Sequence, residues 1–380
     1  MEQTPEANIN STVLKKWLSL NDGELIIVGG PCSAETEEQV LQTAKLLATE
    51  IKVKILRAGI WKPRTRPNSF EGVGEKALEW LVKAGKATSL KTATEVANAE
   101  HVEACLKAGI DILWIGARST VNPFTVQEIA DAVRGTDIPV FIKNPVNPDL
   151  QLWIGAIERI AKAGIDKIAA VHRGFSWFDK TIYRNDPKWE FAIELKRYFP
   201  ELAILCDPSH ISGKRELVQQ VSQKAIDLSM DGLMVEVHPN PDAALSDASQ
   251  QITPAFFIDM LNNLVVRKTD CDDLEFTNQL LQLRKEIDGI DQELIQKLAA
   301  RMQVIQKIGE YKFNNNVTVF QLKRWEEILT TRLRHGDLLG LNPVFIKEIL
   351  DTMHKESISL QRRIMQNKKA EAEISKNIEK

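Results

Sequence analysis

VKILRAGIWKPRTRPNSFEG, residues 53–72, is a short, mostly apolar run that surfaces into a cluster of cations. Arg57, Lys62, Arg64 and Arg66 fall within ten positions, and Glu71 is the only acid near them. An unbroken apolar run, rather than an alternating one, is what a parallel strand buried on both faces requires. The same texture recurs seven times: LIIVGG at 25–30, SLKTAT at 89–94, ILWIGAR at 112–118, VFIKN at 140–144, KIAAVHRG at 167–174, AILCDPSH at 203–210 and GLMVEVH at 232–238. SLKTAT is the poorest of them in apolar residues. Amphipathic stretches such as TEEQVLQTAKLLATE and AEHVEACLKAGI lie between most of the runs. Eight strands with intervening helices predict an α/β fold, a TIM (β/α)8 barrel, over residues 1–262.

Polar or ionisable groups follow seven of the eight runs. They are Cys32; Arg57 and Lys62; Arg118; Lys143; His172 and Arg173; Asp207 and His210; and Glu236 and His238. Charge appears wherever a strand reaches solvent, but solvation alone would not favour one end of every strand. In a barrel those ends share one face, where active sites form.

The whole chain is less marked. Its 380 residues carry a formal charge of -3, which argues against a general nucleic-acid or membrane binder. Four scattered cysteines with no CxxC spacing do not make a disulfide scaffold. MEQTPEANIN is polar at the N-terminus, and no apolar run approaches the roughly 18 residues of a membrane helix. The expected compartment is the cytoplasm.

After residue 262 the pattern changes. Residues 263–272 read as a linker. From Asp273, apolar residues from Leu280 to Ile308 step at threes and fours, a helix long enough to need a partner. NNN at 314–316 ends it; further helices are expected over about 321–335 and 344–366, completing an all-α, three-helix domain at 273–366 that dimerises. Residues 367–380 read as a frayed, charged tail. Arg284, Arg301 and Lys312 ride on the long helix, Arg324 on the second, and Ser357 and Gln361 on the third. Arg301 and Lys312 lie eleven apart, on one face. A single such cation is usually a snorkelling side chain at the edge of the apolar stripe.

If the barrel forms, Cys32, His210 and Glu236, with Asp247, could hold one divalent ion of the manganese, iron or zinc kind. Arg57, Lys62, Arg118, Lys143 and Arg173 would converge from four strand ends. So many like charges repel unless a polyanion, such as a phosphate-bearing carboxylate, sits among them. Arg64 and Thr65, further along the loop, suit a second phosphate.

Five motifs, GPCSAE at 30–35, KPRT at 62–65, IGAR at 115–118, DPSH at 207–210 and EVHPNPDAALSD at 236–247, resemble the 3-deoxy-D-arabino-heptulosonate-7-phosphate (DAHP) synthase family. The resemblance implies a metal-dependent barrel that condenses phosphoenolpyruvate with erythrose 4-phosphate. It implies metal ligands at Cys32, His210, Glu236 and Asp247. Phosphoenolpyruvate would bind Arg57, Lys62, Arg118, Lys143 and Arg173, and the aldose phosphate Arg64 and Thr65, with Lys62 catalytic. Arg66 stands where that family often has serine, and KNPVNP follows Lys143 where KRG is common. Enzymes that make 3-deoxy-octulosonate phosphate share the barrel but typically carry KANR in place of KPRT.

LLQLRKEIDGIDQELIQKLAARMQVIQKIGEYK resembles the all-helical chorismate mutases, continuing to ESISLQ. This implies a cofactor-free rearrangement of chorismate to prephenate. Arg284, Arg301, Lys312, Arg324, Ser357 and Gln361 would bind the substrate, with Lys312 and Gln361 at its ether oxygen and Arg284 supplied by the other chain of a homodimer or homotetramer. Gln321 and Trp325 replace acids usual beside the second-helix arginine; the lost glutamate commonly receives the substrate hydroxyl. The helical domain is thus expected to be a mutase that also mediates feedback on the barrel, with prephenate as effector; the alternatives are that it only senses chorismate or prephenate, or only dimerises.

Overall fold

The computed structural model describes residues 11–21, 23–62, 70–176, 178, 181–267 and 273–378. It divides into two compact units, Met1–Thr269 and Asp270–Lys380.

The first unit is a closed barrel of eight parallel strands: β1 (Ile26–Gly30), β2 (Val53–Arg57), β3 (Lys91–Val96), β4 (Ile112–Ile115), β5 (Val140–Lys143), β6 (Ile168–His172), β7 (Ala203–Cys206) and β8 (Gly232–Glu236). Each strand pairs with its successor, and β8 returns to β1. The expected TIM-type architecture is present, SLKTAT included. Lys91 of that run is half-buried and paired with Asp111 at 3.1 Å, which lets a charged residue begin a barrel strand.

Both faces of the strands are buried, and this is why the runs do not alternate in polarity. Ile26, Val28, Ile55, Ala93, Ile112, Trp114, Phe141, Ala169, Val171, Leu205 and Met234 pack together as one cluster. Their neighbours in the same strands, such as Ile27, Leu56, Leu113, Ile142, Ala170 and Ile204, pack in a second cluster with the surrounding helices. These helices begin with ordinary caps: Thr36, Asn98, Asn122, Asp149 and Thr253 each accept from a backbone N–H in the first turn.

Among the described residues the second unit has three helices, Leu274–Asn314, Leu322–Leu338 and Pro343–Ile378. The last continues well beyond the expected residue 366, because the stretch after it is rich in Lys, Glu and Ala, which are strong helix formers. Residues read as a loop from Arg334 are helical as far as Leu338. No helix among the described residues is long and apolar enough to cross a membrane.

Candidate functional site

Side chains alternate along a strand, so the residue two beyond the last inward apolar residue also points into the barrel, now at its mouth. Counting on from Ile55, Ala93, Phe141, Val171, Leu205 and Met234 gives Arg57, Glu95, Lys143, Arg173, Asp207 and Glu236. β1 and β4 instead place Gly30 and Gly116 at that level and their functional groups, Cys32 and Arg118, two residues later. Glycine is required at Gly30, where a Cβ meets backbone, and at Gly116 it leaves room for the Glu95 carboxylate. A Cβ on Gly30, at φ 146°, would lie 2.1 Å from Arg57 O, and one on Gly116 would lie 2.1 Å from Glu95 Oε1.

Three of the four expected metal ligands meet. Donor atoms of Cys32, Glu236 and Asp247 all lie within 4.8 Å of one another. His210 approaches from the side, with Nε2 3.8 Å from Glu236 Oε1 and Nδ1 2.8 Å from Asp207 Oδ2. A thiol and two carboxylates so grouped, with an imidazole alongside, fit a borderline divalent ion. A surrounding layer, which spacing could not reveal, orients them. Arg184 Nη1 donates to Asp247 Oδ1 at 2.9 Å and to Gln250 Oε1 at 2.7 Å; Gln250 Nε2 in turn donates to Glu236 Oε2 at 2.7 Å. Gln251 Oε1 accepts from the backbone N–H of Cys32 at 2.9 Å.

The electrostatics match an ion-binding site. Burial, reinforced by the charge of Glu236, pushes the Cys32 thiol up to about 12. Deprotonating it therefore calls for a strong local cation, as a bound metal provides. Burial also opposes charge on Glu236 and Asp247, yet His210, with Arg57 beside one and Arg184 beside the other, holds both below their ordinary values. Lys62 Nζ lies 3.0 Å from Cys32 Sγ. Burial lowers the pKa of Lys62, but the negative charges of Cys32, Glu236 and Glu95 more than offset this and raise it.

Next to this cluster is a cavity of about 420 Å³, with Lys62, Arg118, Lys143, Arg173 and Arg184 on its wall against Glu95 and Asp247 among the described residues. Four of the five expected cations line it. Arg57 lies beneath, its Nη2 donating to Glu236 Oε1 at 3.2 Å and its guanidinium over the Trp114 ring. Lys143 Nζ donates to Asp207 Oδ2 at 2.7 Å. Asn144, from the unusual KNP, donates to Gly174 O and accepts from Arg173 N, tying β5 to β6. Arg173 Nη1 donates to Asn185 Oδ1 at 3.0 Å. Arg64, Thr65 and Arg66 lie outside the described residues.

Two strand-end histidines do not join the cavity. His172 has the opposite parity and packs against Trp153, Phe175 and Trp189. His238 is buried 3.6 Å from Glu35. Sequence reasoning also missed Glu95, at the end of the strand whose run seemed to deliver nothing. Its Oε2 accepts from Trp114 Nε1.

In the helical unit, a second cavity of about 730 Å³ is lined by Arg301, Lys312, Arg324, Ser357 and Gln361, as expected, with Gln321 and Trp325 beside them. Arg301 Nη1 donates to Ser357 Oγ at 2.8 Å, and Lys312 Nζ to Val319 O at 2.6 Å. Arg332 and His354, not singled out from the sequence, complete the wall. Arg284 is exposed and is not on it.

Comparison with known proteins covers both units. Residues 9–270 match the DAHP synthetase I family, and residues 283–362 match chorismate mutase type II. The chain is 35% identical over 247 residues to the phospho-2-dehydro-3-deoxyheptonate aldolase of Thermotoga maritima, covering 65% of this chain and 71% of that one. It is 27% identical to the 2-dehydro-3-deoxyphosphooctonate aldolase of Desulfotalea psychrophila, over 63% of this chain and 89% of that one. The crystal structure of the Thermotoga maritima DAHP synthase superposes with a TM-score of 0.58 at 34% identity, covering 63% of this chain and 68% of that one.

Proposed function

This chain belongs to the DAHP synthetase I family and carries a chorismate mutase type II domain, and from that premise we propose that its barrel condenses phosphoenolpyruvate with erythrose 4-phosphate while its helices rearrange chorismate to prephenate. The observation that carries the barrel assignment is the convergence of Cys32, Glu236 and Asp247 beside a wall bearing five cations. We take His210 as the fourth ligand.

A divalent ion held there supplies Lewis acidity toward the sugar aldehyde. The chain's own residues do the rest. Arg118, Lys143 and Arg173 clamp the phosphate and carboxylate of phosphoenolpyruvate, fixing its methylene carbon against the aldehyde. As that carbon attacks, the aldehyde oxygen gains negative charge, and in our reading Lys62 gives it a proton. Cationic charge grows at the enol carbon, water adds there, and the C–O bond of the departing phosphate breaks under the same cations. Arg57, locked to Glu236, acts from beneath. The aldose phosphate falls to Arg64 and Thr65. If arabinose 5-phosphate outcompetes erythrose 4-phosphate in a direct assay, that aldose assignment is wrong.

The helical cavity suits a reaction without proton transfer. Arg301 and Arg324 hold two carboxylates in the reactive conformer, and Lys312 and Gln361 donate to the ether oxygen as it gains charge. The long helix leaves Leu283, Ile287, Ile290, Leu294 and Leu298 each at least 45% exposed. A second copy covers this stripe in our reading and brings Arg284 to its partner's cavity. Prephenate held there restrains the barrel; unchanged synthase rates on adding prephenate would refute this. Three buried free thiols, Cys32, Cys105 and Cys206, suit a cytoplasmic setting.

The deciding experiment assays both reactions on the purified chain. Chelator should abolish condensation and spare the rearrangement, and Arg301→Ala should do the reverse. Loss of both reactions under either treatment would defeat the two-site reading.

A further inference from the structure

The barrel interior holds one side chain whose chemistry exceeds what packing asks of it. Ile55, Ala93, Phe141, Val171, Leu205 and Met234 fill the layer just below the cavity mouth, and all are apolar. β4 contributes Trp114 to that layer, fully buried. An aliphatic or phenyl side chain would fill the space without bringing an N–H that must find a partner. The indole instead meets three ionic groups of the mouth. Its Nε1 donates to Glu95 Oε2 at 3.1 Å. The Arg57 guanidinium carbon lies 4.9 Å from its ring centroid and Lys143 Nζ lies 5.8 Å from it. An electron-rich face attracts cations and a polar edge attracts an anion, so one ring serves both signs of charge.

Arg57 depends on the face. It is 1% exposed, and its Nη2 alone donates, to Glu236 Oε1 and to Cys32 O. Its Nε and Nη1 have no hydrogen-bond partner among the described protein atoms. Desolvated donors are costly, and the indole face offsets part of that cost. Glu95 depends on the edge. A carboxylate free to swing in a cavity walled by Lys62, Arg118, Lys143, Arg173 and Arg184 would settle on one of them and take the place of a ligand anion. The backbone also seats it beside the indole. Glu95 is paired in register with Trp114, and Gly116 has no Cβ to displace its Oε1.

We propose that Trp114 is a positioning residue of the barrel: its indole face holds Arg57 and Lys143 ready for a ligand anion, and its N–H keeps the Glu95 carboxylate off the cations. This rests on the condensation reading above. Trp114 does not line the cavity and acts only through the groups it touches.

The test uses the full chain supplied with a divalent ion, as the parent, Trp114→Phe and Trp114→Leu. Each substrate is varied in turn, and phosphoenolpyruvate binding is measured separately by calorimetry. Trp114→Leu removes both face and N–H and should raise the KM and Kd for phosphoenolpyruvate about tenfold. Trp114→Phe restores a face without the N–H and should recover part of that loss. The KM for the aldose phosphate should stay within twofold in both variants, a split that loosened packing would not produce. Thermal melts confirm that the variants fold. Should Trp114→Leu not fold, fluorinated tryptophan at position 114, which thins the electron density of the ring at nearly constant shape, should raise the same KM with each added fluorine. Equal changes in both KM values, or no change, would overturn the assignment and leave Trp114 as packing. No condensation by the unaltered chain would instead defeat the synthase reading, and this assignment with it.

Discussion

In the barrel cavity Lys143 and Arg57 are buried against Asp207 and Glu236, at 2.7 and 3.2 Å, whereas among the described residues that line the helical cavity Arg301, Lys312, Arg324 and Arg332 share a wall with no carboxylate, and Arg324 meets Glu327 at 2.8 Å where both side chains are more than half exposed. On the function proposed above, the barrel would hold ligand anions and a metal ion a few ångströms apart, and fixed counter-charges would stop its cations competing with the ion. On the same proposal the helical cavity would hold only a dianion, which would itself supply most of the counter-charge. The first arrangement is expensive to dismantle and the second is not.

Lys143→Ala is the harshest test of that difference. It leaves Asp207 buried beside a single remaining partner, His210. The substitution should cost about 3–5 kcal/mol in urea unfolding and cut DAHP formation by about a thousandfold or more, with chorismate turnover within twofold of the parent. If Arg332→Ala in the helical cavity destabilises the chain as much, the contrast fails.

Ile290→Asp sharpens the comparison from the other side. Ile290 is 58% exposed on the long helix. A charge there should split the proposed pair of chains in sedimentation experiments and lower mutase activity about a hundredfold by removing Arg284 from the partner's cavity. Condensation should persist.

Arg184→Ala reaches the barrel ligands without touching their donor atoms. Losing the guanidinium that holds Asp247 and Gln250 should weaken divalent-ion affinity by about 10–100-fold, read by titration of the metal-free protein. Mutase activity should not change.

The smallest effect concerns His172, whose pKa burial depresses from 6.5 to about 4. A histidine kept neutral in the fold contributes stability that is complete above about 6.5 and is lost as pH falls through about 4. His172→Phe should flatten that acid limb by roughly 3 kcal/mol in unfolding titrations between pH 7 and 4.

The barrel was legible because both strand faces are buried, so its runs stand out as unbroken. Most of the site was legible for a related reason: strand ends carry side chains of fixed parity. Ignoring that parity is what brought His172 into the candidate set and passed over Glu95. Arg184, Gln250 and Gln251 could not be found this way. They lie on loops, where no period relates position to direction, and their importance comes only from what they touch. In the helical unit a period of 3.6 placed Arg301 and Lys312 on one wall. His354 was hidden because a lone histidine on a helix has no spacing to mark it, and the ring it stacks on, Trp325, lies twenty-nine positions earlier.

The seam between β1 and β8 joins Ile26–Gly30 to Gly232–Glu236. During translation the first of these segments must wait for some 200 residues before its neighbour leaves the ribosome, roughly 10–40 seconds at ordinary elongation rates. Glu236 and Asp247 arrive with or after that closing segment. A nascent chain halted before them would have one strand edge open and would lack two of the three clustered donors, so premature termination yields a sticky fragment rather than a partial enzyme.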